Sequence, residues 1–149
     1  LKIGRPGLRD RLMNLYLQLN TYPEVPAMLR ELKGRGMKLA ILSNGTPPML
    51  AAVVSNSGLE DVFDAVLSVE EVGVYKPHPS VYALAAQRLG IDPARICFLS
   101  SNGWDAYSAK AFGFQVIWCN RFSQAAERIP ATPDGEIADL SALAALLRQ

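Results

Sequence analysis

The sequence predicts an α/β protein, a parallel sheet of short strands with helices on both faces. Three observations lead there. Four apolar runs, KLAILS (38–43), FDAVLS (63–68), RICFLS (95–100) and QVIWC (115–119), alternate with stretches patterned as helices. Alternation of that kind favours parallel strands joined by helical crossovers. The runs are also apolar along most of their length, as strands covered on two sides must be. Finally, three of them stop at polar clusters: SNG after the first, SVE after the second and SSNGWD after the third. In open α/β sheets the ligand crevice lies at the carboxyl ends of the strands, so these clusters are expected to converge there.

The elements follow in order. Residues 8–19 read as an amphipathic helix, with Leu8, Leu12, Leu15, Leu17 and Leu19 on one broad face. TYPEVP (21–26) breaks it with two prolines. A helix over 26–33 is stopped by Gly34 and Gly36, and the first strand, 38–43, comes next. A helix over 48–55 precedes the second strand, 63–68. A helix over 80–89 ends at Gly90, before the third strand, 95–100. A helix over 105–112 ends at Gly113, before the fourth strand, 115–119. Residues 136–138 suggest a short fifth strand, and 140–147 a final helix.

Composition narrows the function. Of the 149 residues 50% are hydrophobic and 19% charged, which supports a packed core and excludes a disordered chain. Fifteen basic against fourteen acidic residues leave a net charge of +1, with no basic run to hold a polyanion, so no nucleic-acid partner is expected. The longest apolar stretches, such as 140–147, are too short to span a bilayer, so no membrane partner is expected either. Cys97 and Cys119 sit in apolar runs and read as buried free thiols suited to a reducing, cytoplasmic setting. There is no signal-peptide pattern and no initiator Met. The opening LKIGRPG starts in mid-pattern, so the sequence is expected to be a truncated piece of a longer protein.

Three clusters could carry chemistry. Ser43 and Asn44, in a turn made tight by Gly45, could donate hydrogen bonds to an anion; the bland alternative is an ordinary turn with Thr46 capping a helix. Lys76, in VYKPHP, lies in backbone stiffened by Pro77 and Pro79 and could set its ammonium beside a carboxylate; the alternative is a solvated surface lysine. Ser100, Ser101, Asn102, Trp104 and Asp105 pack many hydrogen-bonding groups into a strand-to-helix turn; the alternative is helix capping, with Trp104 as packing. His78 is the one histidine, flanked by prolines, and reads as an exposed loop residue. It excludes a multi-histidine metal site. Neither a Gly-x-Ser-x-Gly elbow nor a phosphate-binding Gly-Lys loop occurs.

Taken in order, LAILSNG, VYKP and CFLSSNGWD resemble the later motifs of the haloacid dehalogenase superfamily, and the similarity runs along essentially the whole chain. Phosphatases of that superfamily usually read Gly-Asp-Ser-x-x-Asp at the third motif, where the first Asp helps hold Mg²⁺. Ser101 stands at that position here. SSNGWD, LSNGTP and VYKPHPSVY are instead similar to the (S)-2-haloacid dehalogenases, which use no metal. The resemblance implies a Rossmann-like core with a helical cap and no cofactor. It also implies a small 2-haloacid as substrate, hydrolysed through an aspartyl ester. By position, Ser43 would bind the substrate carboxylate, Asn44 would receive halide and Trp104 would wall the pocket. Lys76 would hold the nucleophile ionised, Ser100, Asn102 and Asp105 would orient nucleophile and water, and Tyr82 would support Lys76 and Asp105. The family's nucleophile belongs to an Asp-x-Tyr/Asp-Gly-Thr motif on a first strand, and no such motif is present. Residues 1–20 would then be the end of a cap, and 21–149 a core lacking its central first strand, inactive alone. A homodimer is compatible with the intact protein, because cap helices often make dimer contacts in this family.

Overall fold

The computed structural model describes residues 5–147. Helices α1 (Leu8–Leu15), α2 (Val25–Gly34), α3 (Pro47–Asn56), α4 (Pro79–Leu89), α5 (Gly103–Phe112) and α6 (Leu143–Leu146) alternate with strands β1 (Ala40–Ser43), β2 (Ala65–Ser68), β3 (Cys97–Ser100), β4 (Gln115–Cys119) and β5 (Gly135–Ile137). The ladders are parallel throughout, with Ala40 opposite Ala65 in the first pair and Cys97 opposite Gln115 in the second. The predicted fold class holds.

The sheet comes in two pieces, β1–β2 and β3–β4–β5; among the described residues no ladder joins β1 to β3. Helices bridge the pieces instead. α4 packs on β1 and β2, α5 on β3 and β4, and α4 touches α5.

Residue alternation along β4 explains why both faces are covered. Val116 and Trp118 point into a cluster with Tyr82, Leu84, Ala106 and Phe114 beneath α4 and α5. Cys119, one step out of phase, points the other way, into a cluster with Met28, Leu32, Ile137 and Leu143 beneath α2 and α6, with half-buried Ile117 packed against it. α5 closes at Gly113, whose φ of 119° an L side chain rarely adopts. Charged side chains tie the strand starts: Asp64 takes the Leu39 N–H at 2.8 Å and Lys33 at 2.7 Å.

Some boundaries differ from expectation. The helix predicted over 8–19 is α-helical only to Leu15 and continues as a 3₁₀ turn, Tyr16–Gln18. None of its residues is buried, and Leu12, Leu15, Leu17 and Leu19 stay open to solvent, so little burial supports a longer regular helix. The segment is anchored by Asn56, whose Nδ2 donates to the Leu17 carbonyl. Strands 1 to 3 each start two residues late. Asp64 bonds Leu39 on both its backbone and its side chain, and a 3₁₀ turn, Pro93–Arg95, occupies the start of the third run. The final helix splits into a 3₁₀ turn, Leu140–Ala142, and α6, where Asp139 accepts the Ser141 N–H. Among the described residues, no helix is long and apolar enough to cross a membrane.

Candidate active site

Ser43 ends β1, and its Oγ accepts the Gly45 N–H at 3.0 Å, closing the turn. A side chain at 45 would be crowded. A Cβ there would sit 3.1 Å from a Leu50 methyl and 3.3 Å from Ser43 Oγ. Thr46 is the N-cap of α3 but makes no side-chain cap bond, so the capping alternative for this turn does not hold. Ser68, at the end of β2, donates to the Gly45 carbonyl at 2.8 Å and accepts the Glu70 N–H, and is itself buried. The turn after β1 is thus held from two strands.

Lys76 follows β2, and its backbone N–H donates to Asn44 Oδ1 at 3.0 Å. Its ammonium reaches Asp105 Oδ2 at 2.9 Å, and the two side chains are only 7% and 5% exposed, which dismisses the surface-lysine alternative. Tyr82, on α4, donates its hydroxyl to Asp105 Oδ1 at 2.8 Å, and Ser100, at the end of β3, donates to Oδ2 at 2.9 Å. One carboxylate therefore gathers three donors from three separate parts of the chain. Ser100 Oγ also accepts the Asn102 N–H at 3.2 Å, and the Asn102 carbonyl starts α5 by accepting from Asp105 and Ala106.

Burial pulls the Lys76 pKa below the ordinary lysine value, and Asp105 opposes that pull without cancelling it. Burial, then the Asp105 charge, pushes the Tyr82 phenol far above its usual range, so it stays a donor. Cys119 is buried and Cys97 half-buried; burial raises the Cys97 thiol to about 11, so neither the sequence reading nor the structure makes it a nucleophile.

Of the residues singled out in sequence, Lys76, Asp105, Ser100 and Tyr82 form one bonded cluster, and Asn44 joins it through the Lys76 backbone. Ser43 shares the Asn44 turn. Asn102 and Trp104 sit at the start of α5, Asn102 exposed and Trp104 38% exposed. Convergence takes the form of this cluster. Cavities of about 440 and 460 Å³ lie elsewhere, one by Cys97 and Asp134, the other by Leu50 and Val66. His78 is exposed and caps α4, accepting the Ser80 N–H. Among the described residues no group of His, Cys, Asp and Glu is disposed to hold a metal. Sequence reasoning missed Ser68, although its SVE strand end had the polar signal.

The chain is a parallel α/β core with a buried Lys–Asp pair at the carboxyl ends of its strands, and a hydrolase family model describes it. Residues 7–113 match the model for haloacid dehalogenase-like hydrolases, and the chain belongs to that family. It is 52% identical over 138 residues to an (S)-2-haloacid dehalogenase of Pseudomonas sp. (strain YL), covering 93% of this chain and 60% of that protein. It is 45% identical to haloacetate dehalogenase H-2 of Moraxella sp. (strain B), covering 95% and 63%. Among solved structures, the L-2-haloacid dehalogenase from Xanthobacter autotrophicus with chloropropionic acid covalently bound superposes with a TM-score of 0.89 at 38% identity, covering 97% of this chain and 67% of that one. The chain spans about three fifths of the length of the curated relatives it matches.

Proposed function

We propose that the protein carrying these residues hydrolyses (S)-2-haloacids to (R)-2-hydroxyacids and halide. The observation that carries the reading is the buried Lys76–Asp105 pair, braced by Tyr82 and Ser100. A hydroxyl at Ser101, where the superfamily's phosphatases carry an acid, adds to it. A phosphoryl transition state needs a cation to spread its charge, and displacement of halide by a carboxylate does not.

In the proposed reaction an aspartate oxygen attacks C2 in line, and the carbon–halogen electron pair leaves as halide. Water then cleaves the aspartyl ester at its carbonyl, releasing the inverted hydroxyacid and restoring the carboxylate. Lys76 holds the nucleophile ionised and stabilises developing charge. Asp105 and Ser100 fix Lys76 and, with Asn102, orient nucleophile and water. Tyr82 braces Asp105. Ser43 binds the substrate carboxylate and Asn44 receives halide through its amide NH₂, because its carbonyl oxygen is taken by the Lys76 N–H. Trp104 walls the pocket.

The nucleophile is assigned to chain outside residues 1–149. No Asp-x-Tyr/Asp-Gly-Thr motif occurs in the chain; Asp10 and Asp61 are exposed, Asp64 and Asp134 are committed to lysines and backbone N–H groups, Asp92 and Asp139 cap 3₁₀ turns, and Asp105 already receives three donors. Residues 1–20 are read as the end of a helical cap and 21–149 as the catalytic core. A cytoplasmic homodimer without a cofactor completes the reading.

The test is halide release from (S)-2-chloropropionate by the full-length protein, with and without EDTA. Release of chloride in both arms, with (R)-lactate as product, is expected. Complete loss on chelation would sink the metal-free reading.

A further inference from the structure

We propose that Phe98 is a positioning residue for Lys76, its ring face holding the ammonium in place against Asp105. The Lys76 Nζ lies 4.8 Å from the centroid of the Phe98 ring, inside the range in which an aromatic face attracts a cation. On its other side the same nitrogen meets Asp105 Oδ2 at 2.9 Å. The ammonium is thus held between a carboxylate and a ring face in a pocket that leaves the side chain 7% exposed. An ammonium has three protons to place and no acceptor of its own, and the electron-rich ring face supplies a second site of negative potential.

The backbone makes this arrangement specific. Phe98 and Ser100 lie two apart on β3, so they project to one face of the strand, while Leu99 packs into the opposite cluster. That face is where Asp105 and Lys76 meet. The ring is packed on two further rings: it stacks on Phe114 with centroids 5.7 Å apart and meets Tyr82 edge-on at 5.9 Å. Tyr82 in turn spends its hydroxyl on Asp105, so one rigid aromatic group carries both the ring beneath the lysine and a donor to its partner.

The groups bearing on the ammonium can be named element by element. α5 gives Asp105, α4 the Tyr82 phenol on the same carboxylate, and β3 the Ser100 hydroxyl. The turn after β1 gives Asn44, bonded to the Lys76 backbone. His78, on the lysine's own loop, turns its ring to Ser80 at 2.8 Å. Among the described residues Asp105 is the one ion-pair partner of Lys76, and it alone does not offset burial. The ring face works in the same direction as Asp105, toward the charged lysine.

The proposal rests on the preceding reading only in taking Lys76 to act as a charge, and its test does not depend on halide release. In the full-length protein, Phe98 is replaced by mono-, di- and trifluorophenylalanine, which drains the ring face of negative potential while keeping its shape. Lys76 is followed by NMR of ¹³Cε-labelled lysine, with Lys76→Arg identifying its signal. The midpoint of the Lys76 titration is expected to fall stepwise by about one pH unit across the series, a tenfold change in its ionisation constant. Phe98→Tyr should keep the native midpoint, and Phe98→Leu should abolish the upfield ring shift of the Lys76 ε-protons. A flat fluorination series would overturn the proposal whatever the enzyme does. A stepwise series without halide release would sustain it and sink the dehalogenase reading instead.

Discussion

Replacing Asp105 by Asn in the full-length protein isolates what one negative charge contributes. The amide has nearly the shape of the carboxylate, and the hydroxyls of Tyr82 and Ser100 can rotate to accept as well as donate. The Lys76 ammonium cannot. It would keep an amide oxygen where it now has a charge at 2.9 Å, in a position 7% exposed. Stranding one member of a buried ion pair costs about 3–5 kcal/mol. The amide dipole recovers part of that, so a loss near the lower figure, about 3 kcal/mol at neutral pH, is expected in urea unfolding.

The pH dependence has a definite sign. Burial already holds the Lys76 pKa below its unfolded value, and removing Asp105, which opposes that pull, lowers it further. The unfolded chain then binds the extra proton, so stability rises with pH between the folded and unfolded values. The deficit of the Asn variant should accordingly narrow as pH approaches 10. Adding Lys76→Met should restore most of the lost stability, giving a large coupling energy in the double-mutant cycle. A loss under about 1 kcal/mol, with no recovery in the double variant, would refute the account of Asp105 as the counter-charge of a buried lysine.

Two further outcomes follow from the same geometry. Lys76→Ala should lower kcat for (S)-2-chloropropionate about a hundredfold, or about 3 kcal/mol, and should also lower the melting temperature, because Asp105 keeps only the Tyr82 and Ser100 hydroxyls; steady-state kinetics on the folded variant with an unchanged kcat would return Lys76 to a packing role. Residues 1–149 expressed alone should be insoluble or molten and release no halide, because among the described residues β1 and β3 each keep an unpaired edge and every stranded backbone group costs about 1–3 kcal/mol; a cooperative calorimetric transition with dehalogenase activity would contradict this.

The fold was legible because it depends on local pattern. Short apolar runs and their punctuation by glycine and proline placed the strands, the polar strand ends pointed to Ser43, Ser100 and Asp105, and the proline-flanked VYKPHP loop pointed to Lys76. What stayed hidden depends on long-range contact. Leu17 and Leu19 continue an apolar period, yet both stay exposed and the α-helix stops at Leu15, so the period overshot. Asp64 looks like a strand residue in FDAVLS but is taken up by Lys33 and Leu39, from distant sequence. Asn44 suggests a donor to an anion; that its oxygen is spent on the Lys76 backbone needs coordinates. Phe98 is written like any core aromatic, and only the path of Lys76 across its face separates it from Phe114.

The bond between the Asn44 side chain and the Lys76 backbone bears on any effort to redesign substrate range. The turn at 43–46 is an obvious place to install a new pocket, since it is short, lies at a strand end and carries two side chains read as substrate contacts. It is also a strut. Moving Asn44 releases the Lys76 N–H, and with it the loop that aims the ammonium at Asp105. Libraries that vary Ser43 and Thr46 while retaining Asn44 should therefore yield changes in selectivity. Libraries that vary Asn44 should yield mostly slow enzymes whose selectivity is hard to interpret. The two loops form one graftable unit, and a transplant into a related scaffold should carry both.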